Sequence, residues 1–208
     1  MKILLLGKNG QVGWELQRSL APLGELIALD RQTVDGLCGD LADLSALRDT
    51  IARLKPDVIV NAAAYNAVDK AESEPELAMQ VNALAVKMMA EQALQMDAWL
   101  IHYSTDYVFD GQGNMPWRET DIAAPLNHYG ESKLAGEQAI QASGCKHLIF
   151  RTSWVFAERG QNFAKTMLRL AKDREELSVI ADQIGAPTGA DLIADITALA
   201  LQKSLTRP

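Results

Sequence analysis

Tyr129 and Lys133 stand four positions apart in the run Asn127-His128-Tyr129-Gly130-Glu131-Ser132-Lys133-Leu134-Ala135-Gly136. On a helix that spacing puts both side chains on one face, where they can meet. A free phenol titrates near ~10 and transfers protons poorly at neutral pH. A neighbouring ammonium stabilises the phenolate and draws that value toward the working range, so the pair is a proton-transfer device. On an isolated, exposed helix the same spacing is only a solvated face, so its meaning depends on what else the chain brings to it. Ser104, Thr105 and Asp106 offer two hydroxyls and a carboxylate just after an apolar run, Trp99 to His102. Strand ends of this kind are where open α/β sheets bind ligands, and hydroxyls there suit the polarisation of a carbonyl.

The elements that must position these groups alternate along the chain. Ile3 to Leu6 is a wholly apolar run, as for a parallel strand buried on both faces. It enters Gly7-Lys8-Asn9-Gly10-Gln11-Val12-Gly13 and then helix-like sequence from Trp14 to Leu20. Glycines at 7, 10 and 13 let backbone approach a pyrophosphate, and the helix start offers unpaired N–H groups to it. Leu26 to Leu29 is a second strand that closes on Asp30, an acid placed to accept hydrogen bonds from the adenosine ribose of NAD. Arg31 follows and suits the 2′-phosphate of NADP, which leaves both cofactors open. Asp40-Leu41 precedes a helix over Leu44 to Leu54, with Asp40 read either beside an adenine or as a helix cap. Asp57 to Val60 is a strand running into Asn61-Ala62-Ala63-Ala64-Tyr65, whose small residues let a cofactor cross the strand end.

Ser73-Glu74-Pro75-Glu76 has capping-box form and predicts one helix to about Met96. Further on, His147 to Arg151 and Leu177 to Ile180 read as strands. Asn162 to Lys172 and Asp191 to about Lys203 read as helices, with a turn at Gly185 to Gly189 before the last. Strands alternating with helices predict an α/β fold with a doubly wound parallel sheet. His102 and His147 read as strand residues satisfied in the core, and His128 as an exposed histidine at a helix start.

Composition excludes several functions. The 208 residues carry a net charge of −7 and 48% hydrophobic residues, so there is a real core and no basic field for nucleic acid or anionic membrane. No apolar stretch approaches membrane length. Cys38 and Cys145 lack metal-ligand or C-x-x-C spacing and read as reduced thiols of a cytoplasmic protein.

Taken in order, Gly7/Gly10/Gly13, Asp30, Asn61 to Ala64, Ser104 to Asp106 and Tyr129 with Lys133 resemble the extended short-chain dehydrogenase/reductase superfamily. Within it, Ser104 to Gly111, Pro125 to Gly130, Arg151 to Val155 and Ala63 to Glu74 are similar to the dTDP-4-dehydrorhamnose reductase family over essentially the whole chain. The resemblance implies NADH- or NADPH-dependent reduction of the C4 keto group of a dTDP-sugar. In it Tyr129 would be proton donor, Lys133 would bind the nicotinamide ribose and lower the Tyr129 pKa, and Thr105 would hold the carbonyl. Asp106 and Trp154 would line the sugar pocket. Gly7, Gly10, Gln11, Val12, Gly13, Asp30, Arg31, Asp40, Leu41, Ala63, Ala64, Tyr65 and Tyr103 would line the cofactor. Core packing is the competing reading for Trp154 and Tyr103.

Related sugar-nucleotide 4,6-dehydratases carry glutamate where this chain has Tyr107, which favours reduction over dehydration. The other activities the superfamily offers are a non-catalytic NADP-binding regulatory subunit of the methionine adenosyltransferase type and a sugar-nucleotide epimerase. No histidine cluster suggests a metal. Some relatives hold Mg²⁺ between subunits, for which Glu15 and Asp191 are the candidates, and relatives are commonly homodimers. Residues 1–155 are expected to form the Rossmann-like NAD(P)-binding domain with the catalytic pair. Residues 156–208 are expected to be a partial substrate-binding region, because family chains continue beyond Thr206-Arg207-Pro208.

Overall fold

The computed structural model describes residues 1–206. Arg207 and Pro208, where the sequence reading sees the chain stop short of its relatives, lie outside the described residues. Strands β1 (Lys2–Leu6), β2 (Glu25–Leu29), β3 (Val58–Asn61), β4 (Trp99–Thr105) and β5 (Lys146–Thr152) form one sheet in the order β2-β1-β3-β4-β5. Every neighbouring pair is parallel. Parallel strands need helical crossovers, and those helices cover both faces. Leu4, Leu6, Ile59 and Leu100 pack on one face with Leu47 and Ile51 of α2 (Leu44–Leu54), Met89 of α5 (Ala85–Gln95) and Ile140 of α6 (His128–Ser143). Ile3, Leu5, Val60 and Ile101 pack on the other with Leu16 and Leu20 of α1 (Gln11–Leu20) and Ala194 and Leu201 of α8 (Ala190–Thr206). The expected doubly wound parallel sheet is therefore present. From β1 the chain moves outward to β2, then returns to β3 on the other side, so the strand order reverses between β1 and β3. A crevice opens at such a reversal.

Local chemistry explains most boundaries. The Asp43 carboxylate caps α2 by accepting from Ala46 N–H at 3.0 Å, so the cap is Asp43 and Asp40 is not one. The Asn127 side chain caps α6 by accepting from Gly130 N–H at 2.8 Å. That cap fixes where α6 begins, and hence that Tyr129 lies in its first turn.

Three expectations are corrected. The capping box does not form: Ser73 Oγ donates to the Lys70 carbonyl at 3.0 Å, and the helix starts at Pro75 without a side-chain cap. The single helix to Met96 is instead a short α3 (Val68–Ala71), then α4 (Pro75–Met79), a π-helical turn over Gln80–Leu84, and α5. The π turn directs Asn82 inward, where its amide takes Tyr65 N–H at 2.9 Å and donates to the Tyr65 carbonyl at 3.1 Å and Ser132 Oγ at 3.0 Å. Finally, Leu177 to Ile180 is not a strand: it pairs with none of the described strands and leaves Val179 and Ile180 exposed. Instead β6 (Val155–Phe156) pairs with β7 (Thr188–Gly189), inside the stretch read as a turn. Between them lies α7 (Phe163–Asp173), capped by Asn162.

Candidate active site

A cleft runs across the C-terminal ends of β1, β3 and β4. One part, of about 380 Å³, is walled by Thr105, Asp106, Tyr129, Lys133, Ser153 and Trp154. The other, of about 870 Å³, is walled by Asp30, Arg31, Asp40, Leu41 and Tyr65, and the two meet at Gly10 and Ala62 to Ala64. Residues spread from position 10 to position 154 thus reach one crevice through the strand order alone.

At the smaller end, Thr105 terminates β4 and Tyr129 and Lys133 project from the start of α6. The Thr105 hydroxyl donates to Asp106 Oδ1 at 3.1 Å and accepts from Tyr107 N–H at 3.2 Å. Asp106 Oδ2 is held by Ser153 Oγ at 2.6 Å. The Tyr107 ring stands edge-on to the Tyr129 ring, with centroids 5.7 Å apart. Burial pushes the Tyr129 phenol up to about 12, the Thr105 hydroxyl pulls it down, and Asp106 raises it again. Lys133 Nζ donates to the Tyr103 carbonyl at 2.7 Å and lies 3.3 Å from His102 Nε2. Burial brings the Lys133 amine down to about 8, with Glu137 acting in the opposite sense.

Trp154 lies between β5 and β6 with φ of +46°, in the left-handed region that non-glycine residues rarely adopt. It is half-exposed along the cleft, tilted against Phe163 at 5.5 Å, which sets aside the core reading. Tyr103 is the opposite case. Its phenol meets Thr197 Oγ1 of α8 at 2.9 Å and its ring stacks on Phe150, so the side chain serves the core while its carbonyl holds Lys133.

At the larger end, the glycine turn has no room for side chains: a Cβ on Gly13 would sit 2.1 Å from the Gly7 carbonyl oxygen. That closeness lets α1 begin at Gln11, under the cleft floor, rather than at the expected Trp14. Gln11 ties this start to the far wall, accepting from Asn162 Nδ2 at 2.9 Å and donating to the Val155 carbonyl at 3.4 Å. The Asp30 carboxylate takes the Asn9 side-chain amide and, at 2.9 Å, Gln32 N–H. Arg31 lines the same space, so acid and guanidinium are both available to an adenosine ribose. Asp40 accepts from Ala42 N–H at 3.0 Å, and Leu41 is buried beneath it. Tyr65 donates to Glu74 Oε2 at 2.7 Å on the outer wall. The residues present fit a dinucleotide: a crowded glycine turn at a helix start, an acid at the end of β2, and a buried Ser104 hydroxyl without a partner beside the cleft.

Sequence reasoning did not single out Ser153, Asn66, Lys70 or Asn9, which line the cleft or hold its residues. Ser153 had a signal, since it sits beside Trp154 in a quoted motif. Of the histidines, His128 is exposed and paired with Glu131 at 2.8 Å, and His147 meets the Cys145 carbonyl at 2.8 Å. Among the described residues no group of three or more His, Cys, Asp or Glu could hold a metal ion, and Glu15 lies 3.7 Å from Arg18. No helix there is long and apolar enough to cross a membrane.

With this geometry in view, residues 1–208 match the family described as the RmlD substrate binding domain. The chain belongs to this family. It is 63% identical over 208 residues to the dTDP-4-dehydrorhamnose reductase of Escherichia coli (strain K12), covering 100% of this chain and 69% of that protein. Among solved structures, a dTDP-4-dehydrorhamnose reductase from Clostridium acetobutylicum matches with a TM-score of 0.91 at 38% identity, over 99% of this chain and 71% of that one. The Bacillus anthracis dTDP-4-dehydrorhamnose reductase in complex with NADP matches with a TM-score of 0.89 at 38% identity, over 98% and 71%. The doubly wound parallel fold expected from the residues and the NAD(P)-dependent oxidoreductase character implied by the resemblance both stand.

Proposed function

We propose that this protein reduces the C4 carbonyl of dTDP-4-dehydro-L-rhamnose to give dTDP-L-rhamnose, with NADH or NADPH as reductant. One observation carries the reading. Thr105, Tyr129 and Lys133 stand together at one end of a cleft whose other end holds Asp30 and Arg31, in a chain 63% identical to the E. coli reductase along its whole length. The hydride that reaches C4 is the chemistry bound NADH or NADPH supplies. Tyr129, held fully protonated at neutral pH by its burial, gives its proton to the C4 oxygen. Thr105 turns its hydroxyl from Asp106 to the same oxygen and steadies the charge developing there. Lys133, anchored on the Tyr103 carbonyl, fixes the ribose that sets the reductant's position. Asp106, restrained by Ser153, and the half-exposed Trp154 form the sugar wall.

In this reading residues 1–155 carry the cofactor and the proton donor, and residues 156–208 supply part of the sugar side through β6, α7 and the loop against Trp154. Two copies pair as a homodimer, which sedimentation tests. Neither the regulatory-subunit nor the epimerase reading is favoured: the relatives are reductases and the proton-donor set is intact.

Oxidation of NADH and NADPH with dTDP-4-dehydro-L-rhamnose tests the activity. Tyr129→Phe is expected to lower kcat by about 10²- to 10⁴-fold while cofactor binding persists. Undiminished turnover in that variant would remove Tyr129 as the acid.

A further inference from the structure

At the larger end of the cleft two side chains 21 positions apart in sequence meet, Asn9 of the glycine turn and Asp30 after β2. The main chain brings them together. The N–H groups of Gly7 and Lys8 both donate to the Leu29 carbonyl, at 2.9 and 3.1 Å, which docks the glycine turn on the last residue of β2. From the other side Gly39 lies hard against Asp30, where a Cβ would stand 2.5 Å from the Asp30 carbonyl oxygen. The carboxylate is held as firmly as its backbone. Its Oδ1 accepts from Gln32 N–H at 2.9 Å, the local turn an aspartate makes with the residue two positions on. Its Oδ2 accepts from the Asn9 side-chain amide. An amide donates without carrying charge, so Asn9 fixes the direction of the carboxylate and leaves its negative charge in place.

Arg31 stands exposed beside Asp30, lines the same space and forms no ion pair among the described residues. The other charged groups along that end are engaged: Asp40 accepts from Ala42 N–H at 3.0 Å, and Lys70 pairs with Glu74 at 2.7 Å. Arg31 is therefore the open cation of that wall. An Asp30 released from Asn9 has two other uses. It can turn onto Arg31, or onto the 2′-hydroxyl of an adenosine ribose. The first takes up the cation that attracts a 2′-phosphate, and the second sets a carboxylate against that phosphate. Both favour NADH over NADPH.

We propose that Asn9 is a positioning residue for Asp30 and through it sets the cofactor preference: it keeps the carboxylate on the glycine turn, so that Arg31 stays open to a 2′-phosphate and NADPH is admitted beside NADH. This rests on the reading of the larger end as the adenosine side of a dinucleotide site.

Titration calorimetry with NADH and NADPH, without any sugar nucleotide, tests the proposal apart from turnover. Asn9 is exposed and its side chain makes no other hydrogen bond among the described residues, so Asn9→Ala removes this one contact. In that variant the Kd for NADPH divided by the Kd for NADH is expected to rise by about 3- to 10-fold, the effect of one hydrogen bond. In an Asp30→Ala background the same substitution is expected to move the ratio by less than about twofold, because no carboxylate remains to be released. A ratio that is unmoved or lowered in Asn9→Ala overturns the proposal. So does a rise of equal size in the Asp30→Ala background, which would show Asn9 meeting the cofactor itself. Wild type that binds NADH but not NADPH overturns it as well. Wild type that binds neither defeats the cofactor reading and this proposal together, whereas binding of both with an unmoved ratio defeats this proposal alone.

Discussion

A buried lysine held between a backbone carbonyl and an imidazole has a thermodynamic signature that can be measured apart from catalysis. Lys133 is 2% exposed and its amine falls from 10.5 to about 8 on folding. Between those values the unfolded chain binds a proton that the folded chain does not, so stability rises with pH across this window. Below about pH 8 both states are protonated, and the full cost of the buried charge, about 3 kcal/mol, is present. Lys133→Met removes the titration. Its stability relative to wild type is expected to fall by about 2–3 kcal/mol between pH 7 and pH 10, read by urea unfolding at each pH. An unchanged difference would show that Lys133 does not titrate in that range. The residues behind this behaviour were unequally legible. Tyr129 and Lys133 could be paired from spacing because one helix holds both. His102 could be read as buried but not as the neighbour of Lys133, since that contact joins a strand to a helix through tertiary packing.

The helix α6 carries Tyr129 and Lys133, and what seats it is the π turn that precedes α5. Gly136 faces that turn, and a Cβ there would lie 2.3 Å from the Asn82 carbonyl oxygen. Gly136→Ala must therefore push α6 away from backbone that cannot yield, and is expected to cost about 1–3 kcal/mol in chemical denaturation. Because Asn82 also holds both main-chain groups of Tyr65, the same substitution should weaken NADPH binding in a fluorescence titration. Retained stability and affinity together would show that the approach of the two helices is not needed. Here the sequence was a poor guide. Ser73 to Glu76 had the spacing of a capping box, yet Pro75 set the start and Ser73 turned back to Lys70. A π turn leaves no mark in hydrophobic periodicity beyond one extra residue. The Leu177 to Ile180 run had strand-like composition, but strands exist only with partners, and none of the described strands lies beside it. By contrast Leu44 to Leu54 was read to its limits, because its apolar stripe is local, although its cap is Asp43 rather than Asp40.

For the molecule as a whole, α8 is what closes the second face of the sheet. Leu201 is fully buried in the cluster with Leu16, Leu20 and Ile101, and Arg18 reaches Asp195 at 2.8 Å on the surface above it. Leu201→Ala is expected to cost about 2–5 kcal/mol, and Asp195→Ala under about 1 kcal/mol, since the pair it breaks is solvent-screened. Equal effects in urea unfolding would contradict this division between core and rim. The sheet as a class was legible because alternating apolar runs and helices admit few arrangements, whereas the docking of α8 onto α1 depended on contacts between residues 177 positions apart.

That docking has a bearing on how the protein is made. β1 and α1 emerge early from the ribosome, and β2 and β3 can pair with β1 soon after. The face formed by Ile3, Leu5, Leu16 and Leu20 nevertheless stays without its cover until Ala194 and Leu201 have been synthesised. The nascent chain must therefore carry an open apolar surface from the synthesis of α1 until that of α8. That closure is a long-range event, of the kind that slows folding and invites either chaperone capture or association between unfinished chains.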